Sequence, residues 1–170
     1  MFQARHLCAL LVLCAAAVHA QPPAPHDPAA HQRAAAPSEP SPVVVPLDAA
    51  ARASLTRHAV EATAHGHTLR CEGVSLAALL QSSGAMPDAP LRGAHLDRYV
   101  LVSGRDGYRA VFSLGELDAT LGNRGVYLVD RCDGALLDAD SGPLRLLVPD
   151  DTRPARGVRQ VERVTVIAAP

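Results

Sequence analysis

The chain has 170 residues, a formal net charge of −1 and no tryptophan, and aromatic residues make up only 3% of it. Its length fits one domain with appendages. A charge near zero provides no basic excess to neutralise phosphates, which argues against nucleic acid as a partner. With so few aromatic rings, we expect a core of leucine, valine and alanine.

The N-terminus has the pattern of a secretory signal peptide. A short basic start at Arg5 and His6 precedes an apolar run over 7–18, and Ala20 closes a small-residue cleavage pattern. The run is shorter than the roughly 20 apolar residues that a membrane-spanning helix needs. We predict a signal peptide over 1–20, a periplasmic or secreted protein, and no membrane span in the mature chain.

A segment rich in proline and alanine follows. Residues 21–42 include 7 prolines and 6 alanines. This composition buries too little apolar surface to offset the entropy lost by an ordered chain. We therefore predict a disordered linker over 21–42 and a folded domain over 43–170.

The first elements of the domain are short. The β-branched run Val43–Val45 favours a strand. Asp48 is placed to cap an alanine-rich helix over 49–55. Modest strands are predicted at 59–64 and 68–71.

A second helix is predicted over 76–83. Ser75 is a suitable N-cap and Gly84 a suitable stop. Three leucines of this helix fall on one face, which should pack on a sheet.

The next segment is a predicted β-hairpin, with strands over 99–103 and 108–112. The Asp106-Gly107 pair between them favours a two-residue type I′ turn, in which both residues have positive φ. The turn type fixes how the two strands pair.

In that register Arg105 faces Tyr108, and Gly104 faces Arg109. Ser113 begins an S-x-x-E capping pattern, so a helix should start directly after the hairpin.

The remainder contains strands predicted at 126–130 and 144–148, a turn at Asp133-Gly134, and a last strand around 164–168. The sequence thus predicts six to eight short strands with about three short helices. Helices and strands do not alternate regularly, so we predict a β-rich α+β fold rather than a doubly wound sheet.

Two cysteines, Cys71 and Cys132, remain after the predicted cleavage. An oxidising compartment permits a disulfide between them. Two semi-buried thiols are the alternative, because no sequence pattern brings the two residues together. Both alternatives stay open at this point.

The chain contains, in this order, the segments GVSLAALL, DGYRAVFSLGEL, GPLRLLVP and RPARGVRQVERVTV. Together they resemble the oxidoreductase molybdopterin-binding domain family, which includes the central domain of sulfite oxidase and related exported molybdoenzymes. The resemblance covers about 55–166. It implies a sulfite oxidase-type molybdopterin-binding fold in a short, stand-alone exported member.

The resemblance also implies a cofactor face. In the family, the hairpin and the late basic loop meet molybdopterin, which carries a phosphate and a polar bicyclic pterin. A guanidinium suits both groups, because it offers paired donors to phosphate and a flat cation for stacking. The implied cofactor-binding residues are Arg105, Tyr108, Arg145, Arg153 and Arg159.

Each arginine has an alternative role as a solvated surface residue. Arg145 lies inside an apolar strand, where a charge needs a partner, and Asp130 and Asp138 are the candidates. Arg109 and Arg156 lie in the same two segments and are further candidates for the cofactor face.

The chain departs from the family at the molybdenum ligand. The family's enzymes use a cysteine thiolate before the G-V-x-L helix, but VEATAHGHTLRCEGVSL has no cysteine before Cys71. Gly157 also stands where an aromatic residue is usual. His65 and His67 offer two metal ligands, fewer than a stable zinc site needs.

We therefore assign no catalytic residue and no metal site. The expected function is that of a molybdopterin-binding-like domain without molybdenum catalysis. The alternative is an active molybdenum-dependent oxidoreductase or a subunit of one. Under both interpretations, the expected partner is a pterin cofactor or a periplasmic protein.

The first prediction concerns export. Cleavage should follow Ala20, because the small residues there end the apolar run. Intact-mass spectrometry of the exported protein should give a mature N-terminus at Gln21. A mature protein that retains the run over 7–18 would contradict the prediction.

Overall fold

The structure is a computed structural model that describes residues 40–64 and 66–170. The predicted signal peptide, most of the predicted linker and His65 lie outside these residues. The strands are β1 (Val43–Val45), β2 (Arg57–Ala64), β3 (His67–Ser75), β4 (Arg98–Gly104), β5 (Arg109–Ser113), β6 (Tyr127–Cys132), β7 (Ala135–Leu136), β8 (Arg145–Leu147) and β9 (Val161–Ala168). The helices are α1 (Ala49–Ala53), α2 (Leu76–Ser82) and α3 (Leu114–Leu117), with 3₁₀ turns at Gly93–His95 and Pro154–Arg156. None of these helices is long and apolar enough to cross a membrane.

The strands form two antiparallel sheets. Sheet A has the order β1-β9-β4-β5. Sheet B has the order β2-β3-β6-β7, and β8 also pairs with β6. The predicted β-rich α+β class is confirmed. The described residues hold nine strands rather than six to eight, and β7 has only two residues, too few to show an alternating pattern.

The main core contains buried residues of both sheets. Val100, Phe112 and Val164 of sheet A form one buried cluster with Val74 and Leu128 of sheet B. The three leucines of α2 join this cluster, as the sequence predicts. Core packing therefore fixes one face of sheet B.

The opposite face of sheet B carries a second, smaller cluster. It consists of Val60, Cys71, Val129 and Leu147. Successive side chains of a strand point to opposite faces, so Val129 joins this cluster while the preceding residue joins the main core. We call this side the outer face of sheet B.

The predicted helix starts are confirmed by their caps. The Asp48 carboxylate accepts a hydrogen bond from the Ala51 N–H at 2.9 Å. The Ser113 hydroxyl accepts one from the Glu116 N–H at 3.0 Å. Ser75 caps α2 in the same way, at 3.5 Å. Each cap satisfies a backbone donor that has no partner within the helix.

The predicted type I′ turn at Asp106-Gly107 is wrong. The Gly107 N–H donates to the Gly104 carbonyl at 3.0 Å, and the Gly104 N–H donates to the Tyr108 carbonyl at 2.9 Å. Gly107 has φ +81°, whereas Asp106 does not have a positive φ. The loop therefore has three residues, and Gly104 faces Tyr108 instead of Arg109. Such loops combine a type I turn with a left-handed glycine.

The two-residue turn occurs at the other Asp-Gly pair. Asp133 and Gly134 both have positive φ, +50° and +80°, and they join β6 to β7. Cys132 faces Ala135 across this turn, which is the type I′ arrangement.

Cys71 and Cys132 form a disulfide. They lie directly opposite each other on β3 and β6, so the fold decides between the two alternatives in favour of the bond. A register shift between Glu72 and Gly73 follows at once. Here the strands approach so closely that a Cβ on Gly73 would clash with the Leu128 carbonyl oxygen.

Replacing Gly107 with valine should lower the free energy of unfolding by about 1–3 kcal/mol. No atom lies within 4 Å of a Cβ built there, so the loss comes from forcing a β-branched residue to φ +81° and not from a clash. Chemical denaturation measures the change.

Gly107→Asn is the matched control, since asparagine tolerates the left-handed region. It should keep most of the stability. Equal losses in the two variants would contradict a conformational origin, as would an unchanged unfolding curve for the valine variant.

Candidate functional site

A cavity of about 780 Å³ lies on the outer face of sheet B. The end of the β2–β3 hairpin, β8, the loop 153–159 and the tip of the β4–β5 hairpin form its walls. The walls are partly apolar and partly cationic. The apolar residues include Ala62, Leu69 and Leu147, and the cations are Arg145, Arg153 and Arg159, with His67 nearby on the same lining.

Strand β8 brings Arg145 to this cavity. Leu146 points into the main core and is fully buried. Its N–H donates to the Val158 carbonyl at 2.7 Å, and β8 pairs with β6 on the other side. Alternation along the strand then directs Arg145 and Leu147 to the outer face.

Arg145 is half-buried, and its Nε is buried without a hydrogen-bond partner. Burial lowers the pKa of Arg145, and the positive charge of Arg159 lowers it further, while Asp138 opposes the shift. Buried donors in proteins nearly always have a partner. A guanidinium at a cavity whose buried Nε has no partner is therefore suited to bind an anion.

The candidate partners of Arg145 are engaged elsewhere. Asp130 accepts hydrogen bonds from Arg52 at 2.7 Å and from Arg57 at 2.6 Å, so the pairing with Asp130 is wrong. Burial acts to raise the pKa of Asp130, but these two arginines hold it below its ordinary value. Asp138 accepts a hydrogen bond from the Ser141 N–H at 2.8 Å and makes no ion pair with Arg145.

The other two cavity arginines lie in the late basic loop. Arg153 and Arg159 are exposed, and neither forms an ion pair with any other part of the chain that the structure describes. The lining contains one carboxylate, that of Asp106, which accepts a hydrogen bond from the Tyr108 N–H at 2.9 Å. Three cations against one anion give the cavity an excess of positive charge.

Tyr108 joins the hairpin to the basic loop. Its hydroxyl donates a hydrogen bond to the Ala155 carbonyl at 2.5 Å, and its side chain is 47% exposed. Tyr108 directly precedes β5, and its hydrogen bond holds it beside the loop 153–159. The ring therefore forms part of the cavity wall while remaining accessible.

Of the five predicted cofactor-binding residues, the structure brings four into this lining, namely Tyr108, Arg145, Arg153 and Arg159. Arg105 is not part of the lining. It lies exposed in the hairpin loop, and its backbone N–H donates to the Gln160 carbonyl at 3.1 Å. A role of these residues in cofactor binding stays a prediction.

Arg156, a further candidate, has a structural environment. Its guanidinium donates to Asp151 at 2.8 and 2.7 Å and to Glu116 at 2.7 Å. It also lies 4.8 Å from the centre of the Phe112 ring. These contacts, the hydrogen bond to Asp151 above all, raise the pKa of Arg156. Arg156 thus joins the loop to α3 and does not line the cavity.

The apolar part of the wall was not predicted from the sequence. Ala62 and Leu69 face each other across β2 and β3 and pack against the cluster around Leu147. The alternation of Val60, Ala62 and Ala64 was a visible signal for a strand with one apolar face. It did not indicate which residues would oppose that face.

A molybdenum-binding thiolate is not available in the part of the chain that the structure describes. Cys71 and Cys132 are bonded to each other. No group of three or more His, Cys, Asp or Glu residues converges within 40–64 and 66–170. His67 lines the cavity, and the second histidine of the predicted pair, His65, lies outside the described residues.

No protein-family model matches the chain, and comparison with characterised proteins returns no match. The resemblance to the molybdopterin-binding domain family therefore stays a prediction from the sequence motifs. The cavity must be interpreted from its own chemistry.

Two arginine variants should have opposite effects on stability. Arg145→Met should raise the free energy of unfolding by about 0.5–1 kcal/mol, because it removes a half-buried cation whose Nε has no hydrogen-bond partner and which Arg159 repels. Arg156→Met should lower it by about 1–3 kcal/mol, because it leaves Asp151 and Glu116 without their shared partner.

Thermal and chemical unfolding of the two variants beside the unmodified protein measure these effects. The methionine in both variants makes side-chain size and flexibility equal. A loss of stability in Arg145→Met similar to that in Arg156→Met would mean that Arg145 has a structural partner after all.

Proposed function

We propose that the protein is an exported binding protein whose cavity holds an amphipathic anion of the molybdopterin type, and that it does not catalyse molybdenum chemistry. The observation that carries the proposal is the half-buried, unpartnered Arg145 at a cavity that Arg153 and Arg159 also line. Cations that no carboxylate neutralises favour a bound anion.

The size and the two-part lining support this ligand class. A cavity of about 780 Å³ lies within the roughly 300–1,000 Å³ that is usual for small-molecule sites. The arginines would hold the phosphate, and the apolar wall around Leu69 and Leu147 would lie beside the ring system. Tyr108 offers an accessible aromatic ring for a flat ligand.

The absence of catalysis is proposed from the chain's own donors. When bound, molybdopterin supplies sulfur ligands to a molybdenum ion that carries out redox chemistry. The related enzymes complete the metal site with a cysteine thiolate. Here the two described cysteines are bonded to each other, so neither offers a thiolate to a metal. The residues present therefore fit the pterin and its phosphate but not the molybdenum ion.

The test uses protein exported by its own signal sequence and purified from the medium or periplasm. Oxidative release should yield a fluorescent pterin, with molybdenum substoichiometric or absent by elemental analysis. Titration of the purified protein with neopterin monophosphate, a pterin that carries one phosphate, should give saturable binding. Arg145→Met and Arg159→Ala should each weaken that binding about tenfold or more, since each removes a charged donor.

Arg163→Ala is the matched control, because Arg163 is exposed on sheet A and does not line the cavity. It should bind like the unmodified protein. Equal losses in all three variants, or no binding in any form, would contradict the proposal. Stoichiometric molybdenum with measurable turnover would instead favour the alternative, an active molybdenum-dependent oxidoreductase.

A further inference from the structure

One wall of the cavity projects beyond the rest of sheet B. Strand β3 pairs with β6 only over 71–75, whereas 67–74 of β3 pair with 57–64 of β2. Residues 61–64 and 67–70 therefore extend past the last pair between β3 and β6. We call these residues the flap, and Ala62, Thr63, Ala64, His67 and Leu69 of the flap line the cavity.

Few interactions tie the flap to its surroundings. Within the described residues, one hydrogen bond links it to the remainder of the chain, from the Asp133 N–H to the Arg70 carbonyl at 2.7 Å. The ion pair of Arg70 with Glu61 lies within the flap itself. Ala62 and Leu69 add apolar contacts with the small outer cluster.

The disulfide lies at the base of the flap. Cys71 is the next residue after the flap on β3, and the register shift between Glu72 and Gly73 separates it from the rest of the ladder between β3 and β6. A bulge of this kind interrupts the regular hydrogen-bond pattern. The covalent bond therefore holds the strands together where the backbone ladder is interrupted.

The two cysteines differ in exposure. Cys71 is 2% exposed, whereas Cys132 is partly exposed and lines a second cavity of about 240 Å³. Leu69 and Arg145 line this second cavity as well as the first. An incoming thiolate would thus reach the sulfur of Cys132 beside a cation that favours its negative charge.

We propose that the disulfide is a redox-sensitive clasp, which holds the flap as a wall of the cavity until an external dithiol reduces it. One thiolate of the dithiol attacks the sulfur of Cys132, the bond to Cys71 breaks, and Cys71 leaves as a thiolate that takes up a proton. The second thiol of the dithiol then displaces Cys132 as a thiol. Two electrons and two protons pass to the protein, and the dithiol becomes a disulfide.

The release of the flap follows from the contacts above and does not require a ligand. The consequence for binding, an opened cavity and a weaker complex, rests on the proposed function. Release of the flap and the loss of ligand affinity are therefore measured separately on the same samples.

Hydrogen exchange of the full-length protein, followed by mass spectrometry, measures the flap. After reduction with dithiothreitol and alkylation under native conditions, amides over 61–64 and 67–70 should exchange about tenfold faster or more, because the flap opens locally. Amides over 99–102, in the middle of sheet A, should not change. The proposal would be overturned if exchange in the flap did not change, or if both segments accelerated equally. It would also be overturned if dithiothreitol did not reduce the disulfide of the native protein.

The double variant Cys71→Ala, Cys132→Ala is the matched control. Its flap should exchange rapidly with or without dithiothreitol, and a response to the dithiol in this variant would contradict the proposal. If the variant does not fold, the comparison of oxidised and reduced unmodified protein still decides the outcome.

Neopterin monophosphate provides the second measurement. Its affinity should fall about tenfold or more on reduction, in step with the loss of the ordered flap. If it binds neither form, the proposed function fails while the exchange result still stands. If it binds both forms equally although the flap is released, the link between the clasp and the cavity is refuted.

Discussion

The alternation of side chains along β8 is the constraint on which the site depends. Leu146 is buried in the main core and is hydrogen-bonded to Val158, so the strand has one possible orientation. Arg145 and Leu147 must then face the other way, into the cavity. A cation whose Nε has no hydrogen-bond partner among the described residues is thereby held in a half-buried position. Holding Arg145 in this position costs stability, and the burial of Leu146 in the main core offsets that cost. Turning the strand over would expose Leu146 to solvent.

Arginine has two distinct roles in this fold. Whether an arginine is paired with a carboxylate distinguishes one role from the other. Arg52 and Arg57 share Asp130, and Arg156 joins Asp151 to Glu116, so these arginines connect distant parts of the chain. Within the part of the chain that the structure describes, the cavity arginines form no ion pair with a carboxylate, and Arg145 has only a longer-range interaction with Asp138. Their positive charge is balanced by solvent and ions in the free protein, and an anionic ligand can replace those ions.

Local signals allowed much of the fold to be predicted, because caps and strand-forming runs act over a few residues. Asp48 and Ser113 cap their helices as expected. The two Asp-Gly pairs show the limit: both allow a type I′ turn, yet only Asp133-Gly134 forms one, since the pairing of β4 with β9 and β5 sets the other loop. The disulfide between Cys71 and Cys132 was not predictable, because 61 residues separate its ends and only strand pairing brings them together. The cationic side of the cavity was anticipated from its arginines, whereas its apolar side arises from β2 and β3, whose alternation indicates a face but not its neighbours.

The position of the cavity on the outer face of sheet B has an evolutionary consequence. The main core lies on the other face, and Ala62, Leu69 and Arg153 of the cavity lining lie outside it. Substitutions at Ala62, Leu69 or Arg153 change the shape or charge of the cavity while the buried residues between the sheets stay as they are. Selection can therefore alter what such a scaffold recognises without first having to rebuild it, and divergent descendants of one ancestor can keep the architecture while their ligands differ.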